Sequence, residues 1–409
     1  MRILFALLAV LLTALPLRAE RLRSLKVEVA DNPFAPPVIA LDNPQDRIVI
    51  SFDELSEDRS YLRYELIHCD ALWRPEGLVD SEFLDGFNMG EVEDFSYSQA
   101  TLVHYVHYRI TLPNEQVRFT ASGNYIVRVY PEDDPEETLL EGRLSVCDFS
   151  MRAGAEVTSR TDIDTNAAHQ QVNVTVDTRQ THLRDPYNDL KIVVSQNGRR
   201  DNEVVISQPM RVAGEKLYFE HLRPLIFSAG NEYRRFETSS TRFPGMGVEE
   251  VMFANPVYNM RLYTDIPRRG SQYLYDQTQH GRFFVREYDS ADSDTEADYV
   301  LTHFRLEMPE ISGSDIFLDG DFTGRRFDPA SRMVYNRASG AYEASVLLKQ
   351  GAYNYQYLAV PSGSEQGSTG PVEGDFYQTV NEYTVKVYYR PPGGRYDRLV
   401  AVTTAYSGK

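Results

Sequence analysis

Apolar and polar residues alternate with a period of two along most of this chain, and the period of 3.6 that marks an amphipathic helix is not sustained over a useful length. The alternation predicts strands at 47–52, 61–68, 105–112, 124–130, 171–177, 191–195 and 216–220, because successive strand side chains point to opposite faces of a sheet. Turn residues punctuate these runs at the spacing of a sandwich, among them Ser122-Gly-Asn124, Asn197-Gly198 and Pro391-Pro-Gly-Gly394. The pattern predicts an all-β protein of three consecutive immunoglobulin- or fibronectin-like β-sandwich domains, at 20–150, 151–265 and 266–409. In the first, Gly123 turns the chain into a strand and Tyr125 follows, an arrangement in which the Tyr hydroxyl ties the corner of a sandwich.

The third segment carries Ile316-Phe-Leu-Asp-Gly-Asp-Phe322, Met333-Val-Tyr335 and Leu347-Leu-Lys-Gln-Gly-Ala-Tyr-Asn-Tyr-Gln-Tyr357. It resembles the early-set sandwiches attached to starch- and glycogen-active enzymes. Those modules hold glucan by stacking Trp on sugar rings, and the chain's only Trp is Trp73, in the first segment.

Composition narrows the function classes. Residues 1–19 read as a signal peptide: Arg2 precedes an apolar run from Ile3 to Leu15, and Ala19 suits a signal peptidase. No later apolar stretch reaches the ~18 residues of a membrane span. The expected address is the periplasm. The chain carries a formal charge of -18, which excludes nucleic acid as a partner, because a polyanion needs a basic stripe. Acidic runs at 131–137 and 289–298 read as solvated hairpin tips. The two cysteines, Cys69 and Cys147, stand in an exported chain that permits a disulfide. Such a bridge would contribute about 4 kcal/mol in the chain-entropy model. Both cysteines are out of phase with their strands' apolar positions, so the bonded and free readings both stay open.

No Gly-x-Ser-x-Gly elbow, phosphate loop or Cys-x-x-Cys occurs. His104 and His107 would share a face on a helix, but on a strand they point apart and hold no metal. Asp319-Gly-Asp321 and Asp162-Ile-Asp164 read as turns before they read as catalytic carboxylates. No catalytic, cofactor-binding or metal-binding residue is assigned. The cluster Glu232-Tyr-Arg-Arg-Phe-Glu237 mixes residue types enriched at interfaces. It makes Tyr233, Arg234, Arg235 and Phe236, with Trp73, candidate interface residues. The bland reading has the two Arg residues pairing with Glu232 and Glu237, and Trp73 anchoring a core.

Several phrases recur in order from one end of the chain to the other: His68-Cys-Asp-Ala-Leu-Trp-Arg-Pro75, Glu82-Phe-Leu-Asp-Gly-Phe87, Tyr105-Val-His-Tyr-Arg-Ile-Thr-Leu-Pro-Asn114, Leu222-Arg-Pro-Leu-Ile-Phe227, Gly230-Asn-Glu-Tyr-Arg-Arg-Phe-Glu237, Gly374-Asp-Phe376 and Asn381-Glu-Tyr383. In these the chain resembles the plug protein family of the type IX secretion system of Bacteroidota. The resemblance implies a non-catalytic periplasmic protein that docks on a giant outer-membrane translocon β-barrel and closes its periplasmic opening. It implies no cofactor and no small-molecule substrate. A carbohydrate-binding module of an exported polysaccharide system is the alternative, and an acidic periplasmic hydrolase is a third reading.

Overall fold

Strands form where the alternation predicts them, and the computed structural model, which describes residues 22–179, 181 and 183–408, is built almost wholly from sheets. The expected signal peptide at 1–19 lies outside the described residues. Among those residues the α-helices are single turns, Asp80–Phe83 and Ser293–Glu296.

The first core lies between two sheets. One runs Leu22–Val29, Ile48–Glu54, Val106–Leu112, Asp94–Tyr97; the other runs Val38–Ala40, Leu140–Cys147, Gly123–Pro131, Leu62–Cys69, Gly90–Glu91. Alternate residues Tyr125, Val127 and Val129 point into this core and share it with Ile48, Ile50 and Phe52. The expected corner is present: the buried Tyr125 hydroxyl donates to the Ala121 carbonyl at 2.6 Å. Gly123 sits at φ +150°, where a Cβ would come within 2.5 Å of the His68 ring, so glycine alone lets the strand begin there. The third core repeats the device, the Tyr353 hydroxyl donating to the Lys349 carbonyl.

The second core corrects an expected boundary. Its first sheet is Arg152–Thr158, His169–Asp177, Lys216–Phe219, Arg211–Ala213, with Ile226–Ser228 also paired to His169–Asp177. Its second sheet takes Val204–Ile206 and Leu190–Gln196 from the same stretch, then Glu382–Tyr389 and Arg398–Tyr406 from the far end of the chain. Tyr383, Val385 and Val387 fill this core beside Val172, Val174 and Ile192. The third core therefore occupies Phe236 to Val372 and is inserted within the second. The boundary expected near 265 and a last unit running from 266 to 409 do not describe the chain. Leu190–Gln196 needs a second neighbour to satisfy its backbone groups, and Glu382–Tyr389 supplies it over seven residue pairs.

Candidate functional site

The three sandwiches meet on polar seams. Between the first and third, Asp53 and Lys349 form an ion pair of 2.7 Å with both side chains 1% exposed. Asp53 also accepts from the Tyr299 hydroxyl at 2.7 Å and faces His107 Nδ1 at 2.7 Å. Lys349 Nζ lies 4.1 Å from the centre of the Tyr105 ring. Burial holds the Lys349 ammonium below its ordinary pKa, and Asp53 offsets part of that shift. Asp298, in a run expected to be a solvated tip, is buried here and accepts from the Leu102 and Val103 amides.

Between the first and second sandwiches, Leu140–Cys147 and the start of Gly123–Pro131 meet Glu382–Tyr389 and Arg398–Tyr406. Asn124 Oδ1 accepts from the Tyr388 and Ser145 hydroxyls, both at 2.8 Å. Asp397 pairs with Lys191 at 2.8 Å and Arg390 at 2.7 Å, and accepts from the Ala71 amide across the seam. Arg398 reaches back to Asp148 at 2.6 Å. Cys147, Val193, Tyr388 and Leu399 form a small apolar cluster within the same seam. This explains why the cysteines are out of phase with the first core. They lie on the outer face of its sheet, where the second sandwich covers Cys147.

Cys69 and Cys147 are free and buried, and burial pushes both thiols up to about 12. The disulfide is excluded by register. Cys69 pairs with Asn124, and Cys147 lies just beyond the Gly123–Val146 pair on the opposite side of the same strand. Two strand spacings of about 4.8 Å separate their Cα atoms by about 10 Å, beyond the ~7 Å a bridge tolerates.

The interface candidates are scattered by the fold. Tyr233 and Phe236 are 3% and 1% exposed and cannot meet a partner. Arg234 binds Glu373 at 3.1 Å and Asp265 at 2.5 Å, and Arg235 binds Asp276 at 2.7 Å, so neither pairs with Glu232 or Glu237. Burial raises the Glu373 carboxyl, but Arg234 and Arg268 more than offset this and bring it below its usual range. Trp73 alone of the five lies at an opening. It is half-buried, with the Arg143 guanidinium carbon 4.8 Å and Lys386 Nζ 5.1 Å from its ring centre.

The remaining chemistry is structural. Asp319 and Asp321 both bind Arg325, at 2.8 and 2.9 Å, while Asp162 and Asp164 hold His221 and His169 at 2.9 and 2.7 Å. His107 is buried against Asp53, whereas His104 is exposed and precedes the strand. Among the described residues, no group of three or more His, Cys, Asp or Glu side chains is placed to hold a metal. Tyr353, Tyr355 and Tyr357 are buried in the third core and offer no stacking platform to a sugar. What sequence spacing did not reveal is a cleft of about 470 Å³ where all three sandwiches meet, with Trp73, Arg143, Arg200, Arg326 and Lys386 among its lining residues.

Stacked sandwiches joined by buried ion pairs define an all-β protein. Residues 22–148, the extent of the first sandwich, match the model of the first domain of the type 9 secretion system plug protein, the family that the chain resembles. The family has a structural, non-catalytic role, implies association with the translocon, and suggests a periplasmic location. Among the described residues no helix is long and apolar enough to cross a membrane.

The crystal structure of a hypothetical protein from Parabacteroides merdae ATCC 43184 is similar over nearly all of both molecules. It is 44% identical, with 95% of this chain and 97% of that one covered and a TM-score of 0.93. A DNA glycosylase of Pseudomonas fluorescens is 15% identical over 31% of this chain and 30% of that one, with a TM-score of 0.18. The BSP domain of a biofilm-associated protein is 7% identical over 94% of this chain and 59% of that one, also at 0.18. Neither of these two carries an argument. No curated protein matches the chain.

Proposed function

We propose that this chain is a three-domain plug that docks on the periplasmic opening of the type IX translocon barrel and closes its pore by steric fit. The observation that carries this reading is the match of the first sandwich to the plug family. The seams support it, because a stopper must keep its shape under load, and buried pairs such as Asp53 with Lys349 resist hinge motion between sandwiches. Size is compatible. A compact chain of this length has a radius of gyration of about 21 Å and a diameter of about 55 Å, against a lumen of about 50 Å in a barrel of about 36 strands. With Tyr233 and Phe236 buried, exposed apolar side chains such as Phe87 and Leu274 are the ones free to meet a barrel rim.

The test is a deletion strain with the barrel shown to be present and its lateral gate open. A large, normally excluded antibiotic such as vancomycin enters the deletion strain and not its parent, while secretion continues to some degree. Equal uptake in both strains refutes the seal.

A further inference from the structure

We propose that the cleft at the meeting point of the three sandwiches is a binding site for a small multivalent oxyanion, a compound carrying two or more carboxylate or phosphate groups. This goes beyond the plug reading and does not rest on it. The cleft, at about 470 Å³, falls in the size range of small-ligand sites. Four cations converge on it from three cores: Arg143 from the first sandwich, Arg200 and Lys386 from the second, and Arg326 from the third.

Their lack of ion-pair partners is the informative feature. Other arginines lining the cleft are neutralised, Arg282 by Glu382 at 2.6 Å and Arg325 by Asp321 at 2.9 Å. Among the described residues, Arg143, Arg200, Arg326 and Lys386 form no ion pair: Arg143 and Lys386 lie over the Trp73 ring, and Lys386 also donates to the Ser145 hydroxyl at 2.9 Å. A chain of net charge -18 has carboxylates to spare, yet none forms an ion pair with these groups, although Glu203 lies near enough to Arg143, Arg200 and Lys386 to offset part of their shifts. Glu203 and Glu141 also line the cleft without reaching ion-pair distance of them. Arg23 Nε, also in the lining, is buried without a hydrogen-bond partner.

The electrostatics agree with the geometry. Burial, together with the neighbouring Arg143 and Arg326, lowers the Arg200 guanidinium to about 10, and burial lowers the Lys386 ammonium to about 8. Like charges crowded in a partly dry cleft repel one another, and an anion reverses that sign. Planar forks of the Arg type match both carboxylate and phosphate groups two bonds at a time.

The test uses the full chain without residues 1–19, titrated calorimetrically with pyrophosphate and with citrate, and with sucrose as a neutral control, in about 0.15 M salt. Saturable binding of either anion and none of sucrose is expected, and whichever binds more tightly identifies the preferred group. Arg143→Gln with Arg200→Gln weakens binding at least about tenfold and, with no anion present, raises the melting temperature by relieving repulsion. Glu203→Gln, which removes a competing carboxylate without disturbing an ion pair, tightens binding. Absence of saturable binding, affinity unchanged in the double Arg variant, or affinity unchanged or weaker in Glu203→Gln overturns the proposal.

Discussion

Lys349→Met tests whether the seam between the first and third sandwiches is a rigid joint. Lys349 Nζ donates to Asp53 Oδ2 at 2.7 Å and to the Asp294 carbonyl at 2.6 Å, with its side chain 1% exposed. Methionine keeps most of the volume and removes the charge, leaving the Asp53 carboxylate in the seam with the Tyr299 hydroxyl and His107. Removing one partner of a buried pair costs about 3–5 kcal/mol, because the other charge is left uncompensated. The two remaining partners of Asp53 place the expected cost near the lower end, about 3 kcal/mol. Asp53→Asn combined with Lys349→Met should cost much less than the sum of the single changes, since the double variant buries no unpaired charge.

The assay is urea unfolding followed by circular dichroism, beside solution scattering of the folded protein. The parent chain should fit one shape in scattering, and Lys349→Met should broaden it toward an ensemble. A loss below about 1 kcal/mol with unchanged scattering would show that the pair does not hold the joint, and the rigid-stopper argument would lose its physical support.

Tyr125→Ala should cost about 3 kcal/mol, as large aromatic truncations do, because the ring is fully buried and its hydroxyl ties the Ala121 carbonyl; a loss below about 1 kcal/mol by urea titration refutes the corner. Burial holds the Lys386 ammonium at about 8 against 10.5 ordinarily, so between those values the unfolded chain binds a proton that the folded chain does not. Stability should therefore gain a contribution as pH climbs from about 8 toward 10.5 and lose it as pH falls through 8; urea midpoints that change identically with pH in the parent and in Lys386→Met would contradict this.

Local periodicity made the strands legible. Each strand's alternation is set by its own side chains, and Gly123 with Tyr125 announced a corner through local steric and hydrogen-bonding needs. The all-β class and the family resemblance could therefore be read before any coordinates. Strand pairing could not. The alternating residues of Glu382–Tyr389 suit any sheet with a free edge, and only the folded chain shows that this edge belongs to Leu190–Gln196, about two hundred residues earlier. Cys69 and Cys147 looked polar-facing because alternation reports one core at a time and is silent on a second sandwich covering the outer face.

The 233–236 cluster misled for a related reason. Residue types enriched at interfaces are also those that fill cores, and burial of Phe236 against Phe304 and Tyr353 decides between the two. The sequence by itself determined the element type, the corner and the family resemblance, all of which rest on near neighbours or on ordered phrases. Tertiary structure alone decided the insertion of the third core, the Asp53–Lys349 joint and the convergence of Arg143, Arg200, Arg326 and Lys386, because Coulomb energy depends on distance in space and these groups are far apart along the chain.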